Sequence, residues 1–261
     1  MSSIQRQPYI GITDFTDFAQ VGMMLKVLRE HRKARSGRML HVGVMTSYKT
    51  LNGIQSRWSG VFPPIEQIGR IFHSTVNRVY NCLHYADYSF RTGYADLARA
   101  IELAGPYIDA IQLDMPWPEP AVIAEGVHAS RRQIDVILQI GKGAIEEANN
   151  DPDEVVRHLE EYEGIIHRVL LDKSMGQGLE MNAEELLPFL RAIKEAFPDI
   201  ALGVAGGLGP NSMGLVAPLI DEFPDLSIDA QGRLRPSGNA LDPIDWKMAE
   251  SYLIQALDIL P

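Results

Sequence analysis

Eight short apolar runs recur along the chain, and longer stretches with helical spacing separate most of them. Parallel strands joined by crossover helices have this alternation, because a parallel strand reaches its neighbour only through a long connection. Most of the runs are continuously apolar, which is typical of strands buried on both faces. The pattern therefore predicts eight strand-helix units.

Eight such units within 261 residues indicate a (β/α)₈ barrel, the α/β fold known as the TIM barrel. No linker or low-complexity tract divides the chain, so we expect a single domain over residues 1–261. The predicted strands are Tyr9 to Ile12, Leu40 to Met45, Arg78 to Leu83, Ala110 to Leu113, Asp135 to Ile140, Arg168 to Leu171, Ala201 to Val204 and Leu226 to Ile228. Helical periodicity is clearest in Phe15 to His31, Tyr94 to Leu103, Pro152 to Tyr162, Ala183 to Phe197 and Asp245 to Leu260.

Composition excludes several classes of function. A net charge of -10 argues against a nucleic-acid partner, since such binding depends on Lys and Arg. The single cysteine, Cys82, excludes an internal disulfide and a cysteine-based metal cluster. No run approaches the roughly 20 apolar residues of a membrane span, and the first residues lack an apolar signal core. We expect a cytoplasmic protein without a membrane partner, a cofactor or a metal, and the oligomeric state stays open.

The stretch Val204 to Ser212, VAGGLGPNS, has the pattern of a strand that ends in an anion-binding turn. Glycines let backbone N–H groups approach a ligand, and the first turn of a helix offers unpaired N–H groups to a phosphate. An ordinary strand-to-helix turn would use the same residues. Its position late in an eight-unit array favours a phosphorylated ligand.

Polar residues that directly follow the apolar runs are the candidates for catalysis, because barrel enzymes build their active sites at the carboxyl ends of the strands. Asp172 is the strongest candidate, since it ends an apolar strand and precedes a glycine-containing segment. Asp114 is the next, and Asp14 is equally consistent with a helix cap. The remaining candidates are Thr13, Thr46 to Lys49, His84, Asp87, Lys142, Lys173, Gly206, Gly207, Asp229 and Gly232.

Three further features allow other interpretations. Residues 47–64 form a long segment rich in Gly, Ser and Pro after the second strand, and we interpret it as a candidate lid over the mouth. Lys173 or Lys142 would form a Schiff base with a carbonyl substrate if a dry pocket lowered its pKa, as in lysine-dependent aldolases and lyases. A weaker alternative is a divalent metal bound by His84, Asp87 and Asp114, whose spacing matches no recognised metal pattern.

Five segments resemble phosphoribosylanthranilate isomerase of tryptophan synthesis and its relatives, in order as well as in sequence. The first strand of that family ends in Cys-Gly-Ile-Thr, the sixth in Leu-Leu-Asp, and the seventh in Ala-Gly-Gly-Leu-x-Pro-x-Asn. The matching segments are Ile10 to Thr13, Ile111 to Met115, Leu170 to Asp172 with Gly176 to Gly178, Ala205 to Ser212, and Ala230 to Gly232.

The resemblance implies an Amadori rearrangement, in which a general acid opens a ribose ring and a general base removes the C2 proton. Asp172 matches the acid, whereas Ile10 stands where the family has its basic cysteine. Asp114 or Asp14 is then the candidate replacement base. The implied phosphate site comprises Gly206, Gly207, Asn211, Ser212, Gly232 and Arg233, with Arg235 as a further positive charge.

The sequence therefore predicts a barrel that isomerises a phosphorylated sugar or sugar adduct, with Asp172 as the general acid. Two alternatives stay open at this point. One is a barrel that binds a phosphorylated metabolite without converting it, which the loss of the cysteine favours. The other is the lysine-dependent aldolase or lyase.

Overall fold

Eight parallel strands pair in sequence order and close into a barrel, because β8 pairs with β1. The computed structural model describes residues 6–33, 37–72, 78–172 and 181–261. The predicted (β/α)₈ barrel is confirmed, with a strand at each of the eight predicted places. The strands are β1 (Tyr9–Thr13), β2 (Met39–Ser47), β3 (Val79–Ala86), β4 (Ala110–Asp114), β5 (Asp135–Gly141), β6 (Arg168–Asp172), β7 (Ala201–Ala205) and β8 (Ser227–Ala230).

Helices surround the barrel, and each of the five predicted helices is present with slightly different bounds. The α-helices are α1 (Phe18–Glu30), α2 (Tyr48–Leu51), α3 (Ile68–Ile71), α4 (Tyr94–Leu103), α5 (Pro120–Ser130), α6 (Lys142–Glu147), α7 (Pro152–Glu160), α8 (Ala183–Ala196), α9 (Ala217–Ile220) and α10 (Trp246–Ile259). Short 3₁₀-helices cover Ile65–Gln67, Met213–Val216 and Gly232–Leu234. No helix in the described ranges is long and apolar enough to cross a bilayer.

Helix α1 begins at Phe18 and not at the predicted Phe15, because a capping box fixes its first turn. The Asp17 carboxylate accepts a hydrogen bond from the backbone N–H of Ala19 at 2.6 Å. In return, Oε1 of Gln20 accepts from the backbone N–H of Asp17 at 3.0 Å. Such reciprocal bonds satisfy N–H groups that the helix itself cannot pair, so the helix starts immediately after Asp17.

The sequence suggested one long loop over residues 47–64, but the structure has the end of β2 and the short helix α2 in the first part of this segment. Strand β2 extends two residues beyond the predicted Met45, and Ser47 ends it. The Ser47 hydroxyl accepts from the backbone N–H of Thr50 at 3.1 Å and thereby caps α2. Local side-chain bonds of serine to the backbone favour such helix starts.

Two separate apolar clusters hold the barrel together. The larger one joins outward side chains of the strands, such as Ile10 and Val42, to the helices that pack on them. The smaller one fills the barrel interior and comprises Tyr9, Tyr80, Cys82, Ala110, Ile137 and Leu170. Arg168 lies beneath it, with its guanidinium 4.8 Å from the ring centre of Tyr80. The interior of the barrel is therefore packed at this level, and the carboxyl ends of the strands open into a cavity.

Candidate active site

A cavity of ≈ 990 Å³ opens at the carboxyl ends of the strands. Side chains from the strand ends form its floor, and the loops that follow β2, β3, β7 and β8 form its walls. This is the end of the barrel at which the sequence predicted a site. The polar floor residues are Thr13, His84, Gln112, Asp114, Gln139, Asp172 and Asp229.

Three carboxyl groups share this floor: Asp114 on β4, Asp172 on β6 and Asp229 on β8. Burial, with a smaller contribution from the negative charge of Asp172, raises the pKa of Asp229 to about 7 against the opposing hydrogen bond from Thr13. Burial and the charge of Asp172 likewise raise the pKa of Asp114 to about 6, against the opposing hydrogen bond from Tyr88. Carboxyl groups that exchange protons near neutral pH are suited to acid and base catalysis.

Thr13 and Gly11 position Asp229 from the neighbouring strand. The Thr13 hydroxyl lies 3.1 and 3.0 Å from the two carboxylate oxygens of Asp229 and donates to them. Gly11 pairs with Asp229 across the β1–β8 closure. A β-carbon at Gly11 would lie only 2.5 Å from Oδ1 of Asp229, so a glycine is required for the carboxyl group to occupy this place.

A chain of two glutamines holds Asp172. Nε2 of Gln112 donates to Oε1 of Gln139 at 2.8 Å, and Nε2 of Gln139 donates to Oδ2 of Asp172 at 3.2 Å. These residues come from three neighbouring strands, β4, β5 and β6. These two hydrogen bonds therefore tie the Asp172 carboxyl group to the neighbouring strands of the barrel.

Tyr88 reaches Asp114 from the loop after β3, and its hydroxyl donates to Oδ1 at 2.5 Å. The buried carboxylate of Asp87 organises this loop. It accepts hydrogen bonds from the backbone N–H groups of Ser89, Arg91 and Thr92 and from two hydroxyls. Asp87 is thus occupied as a loop anchor, which explains why the suggested metal ligands His84, Asp87 and Asp114 do not form a cluster among the described residues.

The glycines after β7 and β8 line the opposite wall of the cavity, as the sequence suggested for Gly206, Gly207 and Gly232. Gly206 has φ 123° and Gly207 φ 64°, which are left-handed values that side chains disfavour. Ser212 donates its hydroxyl to the backbone oxygen of Gly207 at 2.7 Å and so closes the turn from behind. Asn211 is exposed and lies outside the cavity lining.

Three other predicted residues also lie outside the cavity lining: Ser212, Arg233 and Asp14. Arg233 is exposed, and its backbone packs against Gly209, where a β-carbon would lie 2.8 Å from the backbone oxygen of Arg233. Asp14 forms a buried ion pair with Arg235 at 2.5 Å and accepts from Nε2 of Gln231 at 3.0 Å. Asp14 has φ 89° and does not cap α1, whose cap is Asp17.

Cationic and aromatic side chains from the segment 47–64 complete the cavity wall. Lys49, Arg57, Trp58 and Phe62 all line it. The rings of Trp58 and Phe62 stack at 5.1 Å, and the Arg57 guanidinium lies 5.1 Å from the ring centre of Trp58. This wall brings positive charge and flat apolar surface to a floor that is otherwise acidic.

Lys142, one of the two candidate Schiff-base lysines, does not add a dry amine to this site. Lys142 is 60% exposed and pairs with Glu146 at 3.7 Å on the outside of α6. It is absent from the cavity lining, and a Schiff-base lysine depends on a desolvated pocket. Lys173 lies outside the described residues.

Several solved structures with a similar fold are of one enzyme. Phosphoribosylanthranilate isomerase from Thermus thermophilus gives a TM-score of 0.63 at 15% sequence identity, over 96% of this chain and 98% of its own. The same enzyme in complex with reduced 1-(o-carboxyphenylamino)-1-deoxyribulose 5-phosphate gives 0.56 at 16% identity, over 94% and 96%. The fold is that of phosphoribosylanthranilate isomerase.

A phosphonopyruvate hydrolase is a more distant neighbour of the same fold class, with a TM-score of 0.50 at 16% identity over 86% of this chain and 75% of its own. At such identities the likeness to phosphoribosylanthranilate isomerase concerns the fold alone. No protein-family model matches the sequence, and no curated protein matches it.

The structure also shows where the side chain of Ile10 lies. Ile10 is fully buried in the apolar cluster between strands and helices, whereas Tyr9 belongs to the barrel interior and Thr13 bonds to Asp229. A side chain at position 10 therefore points away from the cavity in this chain. Ile10 aligns with the cysteine of the family motif, but in this structure its side chain lies between the strands and the helices and not inside the barrel.

Asp229 is the residue that sequence reasoning undervalued. It follows Ile228 at the end of the last apolar run, and this position put it among the strand-end candidates without a role. Its partners Gly11 and Thr13 lie more than 200 positions earlier in the chain and become neighbours only through barrel closure. Two sequence features could have indicated its role: Asp229 is the polar residue at the end of the eighth strand, and closure of a barrel places that strand next to the first, which carries Gly11 and Thr13.

Proposed function

We propose that the cavity catalyses an isomerisation, or a related proton transfer, on a phosphorylated sugar or sugar adduct. The observation that carries the proposal is the trio Asp114, Asp172 and Asp229 in one cavity, two of them with pKa values raised to about 6 and about 7. Near neutral pH such a coupled group contains both protonated and ionised carboxyls. It can therefore donate one proton and accept another during a single turnover.

In this proposal Asp172 is the general acid and Asp114 the general base. Asp172 is 7% exposed at the cavity floor and is electrostatically coupled to Asp114 and Asp229, so a proton shared within the trio can reside on Asp172 when it acts as the acid. Asp114 is preferred over Asp14 as the base, because Asp114 faces the cavity while Asp14 is paired with Arg235. Two carboxyl groups with different environments are a recurrent way to supply an acid and a base at one pH.

A phosphate group would bind at the glycine-lined wall formed by Gly206, Gly207 and Gly232. The backbone of glycine turns can present N–H groups to an anion without obstruction by a side chain. A likeness in fold to an enzyme solved with a ribulose 5-phosphate compound supports this choice. The partner is thus a phosphorylated small molecule, and the acidic floor keeps the phosphate at the wall. We place the reaction in the cytoplasm, in keeping with a lone, buried thiol.

A substrate screen tests the proposal. Wild-type protein is incubated with N-substituted phosphoribosylamines and with the same compounds lacking the phosphate, and the ketose product is measured. We expect conversion of at least one phosphorylated compound and a loss of roughly 100-fold or more in Asp172→Asn. Asp221→Asn, an exposed carboxylate distant from the mouth in the described structure, is the control and should retain full activity. Binding of the phosphorylated compounds without any conversion would favour a non-catalytic binding protein instead.

A further inference from the structure

Two histidines and the only cysteine of the chain meet inside the barrel, where His84 lies at the floor of the cavity and His41 and Cys82 lie below it. His41 lies on β2, and Cys82 and His84 lie on β3. Their potential ligand atoms all lie within 4.8 Å of one another, and all three residues are buried. The interior of such barrels is usually filled by branched apolar side chains, so this concentration of ligand groups calls for a physical reason.

The hydrogen bonding of the two imidazoles is incomplete. Nε2 of His41 faces Nε2 of His84 at 3.4 Å, which is long for a hydrogen bond between nitrogens. Nδ1 of His41 is buried and has no hydrogen-bond partner among the described residues. Buried polar atoms are nearly always paired, because an unpaired one destabilises the folded state. The hydrogen bonds of His41 therefore do not account for its burial, and a metal ion at Nε2 would supply a favourable interaction there although Nδ1 would stay unpaired.

The separation of the two imidazole nitrogens suits a metal ion. Two nitrogen ligands at about 2.0–2.1 Å from one metal, in trigonal or tetrahedral geometry, lie ~3.3–3.6 Å apart, and the observed separation is 3.4 Å. Gly43 leaves the approach to His84 open, since a β-carbon there would lie 3.0 Å from Nε2.

We propose that His41, Cys82 and His84 form a binding site for a zinc-class metal ion, one that accepts a thiolate and two imidazoles. Thiolate and imidazole ligands select Zn²⁺ or Cu⁺ over Mg²⁺ or Ca²⁺. The thiol of Cys82 loses its proton to solvent as the S–metal bond forms. No fourth His, Cys, Asp or Glu of the described residues joins the cluster, so one coordination position is left for a small exogenous ligand.

Nearby charges are mixed. The Asp229 carboxylate and the Arg168 guanidinium both act electrostatically at the position of Cys82. A bound cation would be attracted by Asp229 and repelled by Arg168. The site does not require the proposed isomerase activity, and its test does not use that activity.

The test uses full-length protein expressed in zinc-supplemented medium, and the same protein refolded with Co²⁺, so that a closed barrel does not prevent loading. We expect about one metal per chain by elemental analysis and a thiolate-to-cobalt charge-transfer band in the near ultraviolet. Cys82→Ser should abolish that band, and His41→Gln should weaken zinc binding at least about tenfold. His128→Gln, an exposed histidine, should bind as wild type does.

Circular dichroism and a cooperative unfolding transition establish that each variant folds. If wild-type protein holds less than a tenth of an equivalent of metal under both conditions, the proposal is wrong. Equal metal content in wild type and in folded Cys82→Ser would also overturn it, since the metal would then lie elsewhere.

Discussion

The hydroxyl of Thr13 lies within 3.1 Å of both carboxylate oxygens of Asp229, across the seam where β1 meets β8. The bond ties the two ends of the chain together at the floor of the cavity. It also lowers the pKa of Asp229, against the larger effect of burial. Thr13 therefore favours the ionised form of the Asp229 carboxyl group.

Replacing Thr13 with valine removes that donor at nearly constant volume. We expect Thr13→Val to raise the pKa of Asp229 above its value of about 7, by roughly one to two units, since a hydrogen bond to a charged group contributes about 1.5–3 kcal/mol. Carbon-13 NMR titration of the aspartate carboxyl carbons measures it, with the Asp229 signal assigned from Asp229→Asn. An unchanged or lower pKa would show that Thr13 does not stabilise the carboxylate.

The raised pKa of Asp229 also predicts how stability depends on pH. A carboxyl group with a folded pKa of about 7 and an ordinary value of 3.8 favours the folded state when protonated. This stability is present below about pH 4 and is lost as pH rises through 7. Asp229→Asn, which has no charge to bury, should exceed wild type in unfolding free energy at pH 8 by on the order of 2–4 kcal/mol. Urea unfolding should show the difference shrinking towards pH 4, and a difference independent of pH would contradict this account.

Gly11 and Gly22 form a matched pair of glycines for substitution. A β-carbon at Gly11 would lie 2.5 Å from the Asp229 carboxylate, whereas one at Gly22 in α1 meets nothing within 4 Å. Gly11→Ala should destabilise the protein by about 1–3 kcal/mol and displace Asp229. Gly22→Ala should stabilise it by up to about 1 kcal/mol, because alanine favours the helix. Thermal unfolding of both variants measures the contrast, and equal shifts would argue against close packing at Gly11.

The ion pair between Asp14 and Arg235 is expected to serve stability rather than catalysis. Both side chains are buried, at 7% and 1% exposure, so removing one partner leaves an uncompensated charge. Asp14→Ala should lower the free energy of unfolding by about 3–5 kcal/mol, and Asp14→Ala with Arg235→Met by less than the sum of the single changes. Any folded Asp14 variant should keep its activity. A large loss of turnover without a loss of stability would return Asp14 to the candidate bases.

The strand order and the position of the mouth were predictable, because continuous apolar runs and helical spacing are local signals. Asp172 and Asp114 were found in the same way, as polar residues at strand ends. The roles of Asp14 and Arg235 could not be predicted, since their ion pair joins positions that are 221 residues apart in the sequence. Helix caps were missed for a different reason, because Asp14 and Asp17 both precede α1 and only side-chain geometry selects Asp17.

The most direct test of the central claim follows the transferred proton. Wild-type protein is incubated in D₂O with a phosphorylated sugar adduct that it binds, and deuterium at the carbon next to the carbonyl is measured by mass spectrometry. We predict incorporation by wild type and by Asp221→Asn, with a loss of about 100-fold or more in Asp114→Asn, the proposed base. No incorporation into any bound phosphorylated compound, or an unchanged rate in Asp114→Asn, would contradict the account.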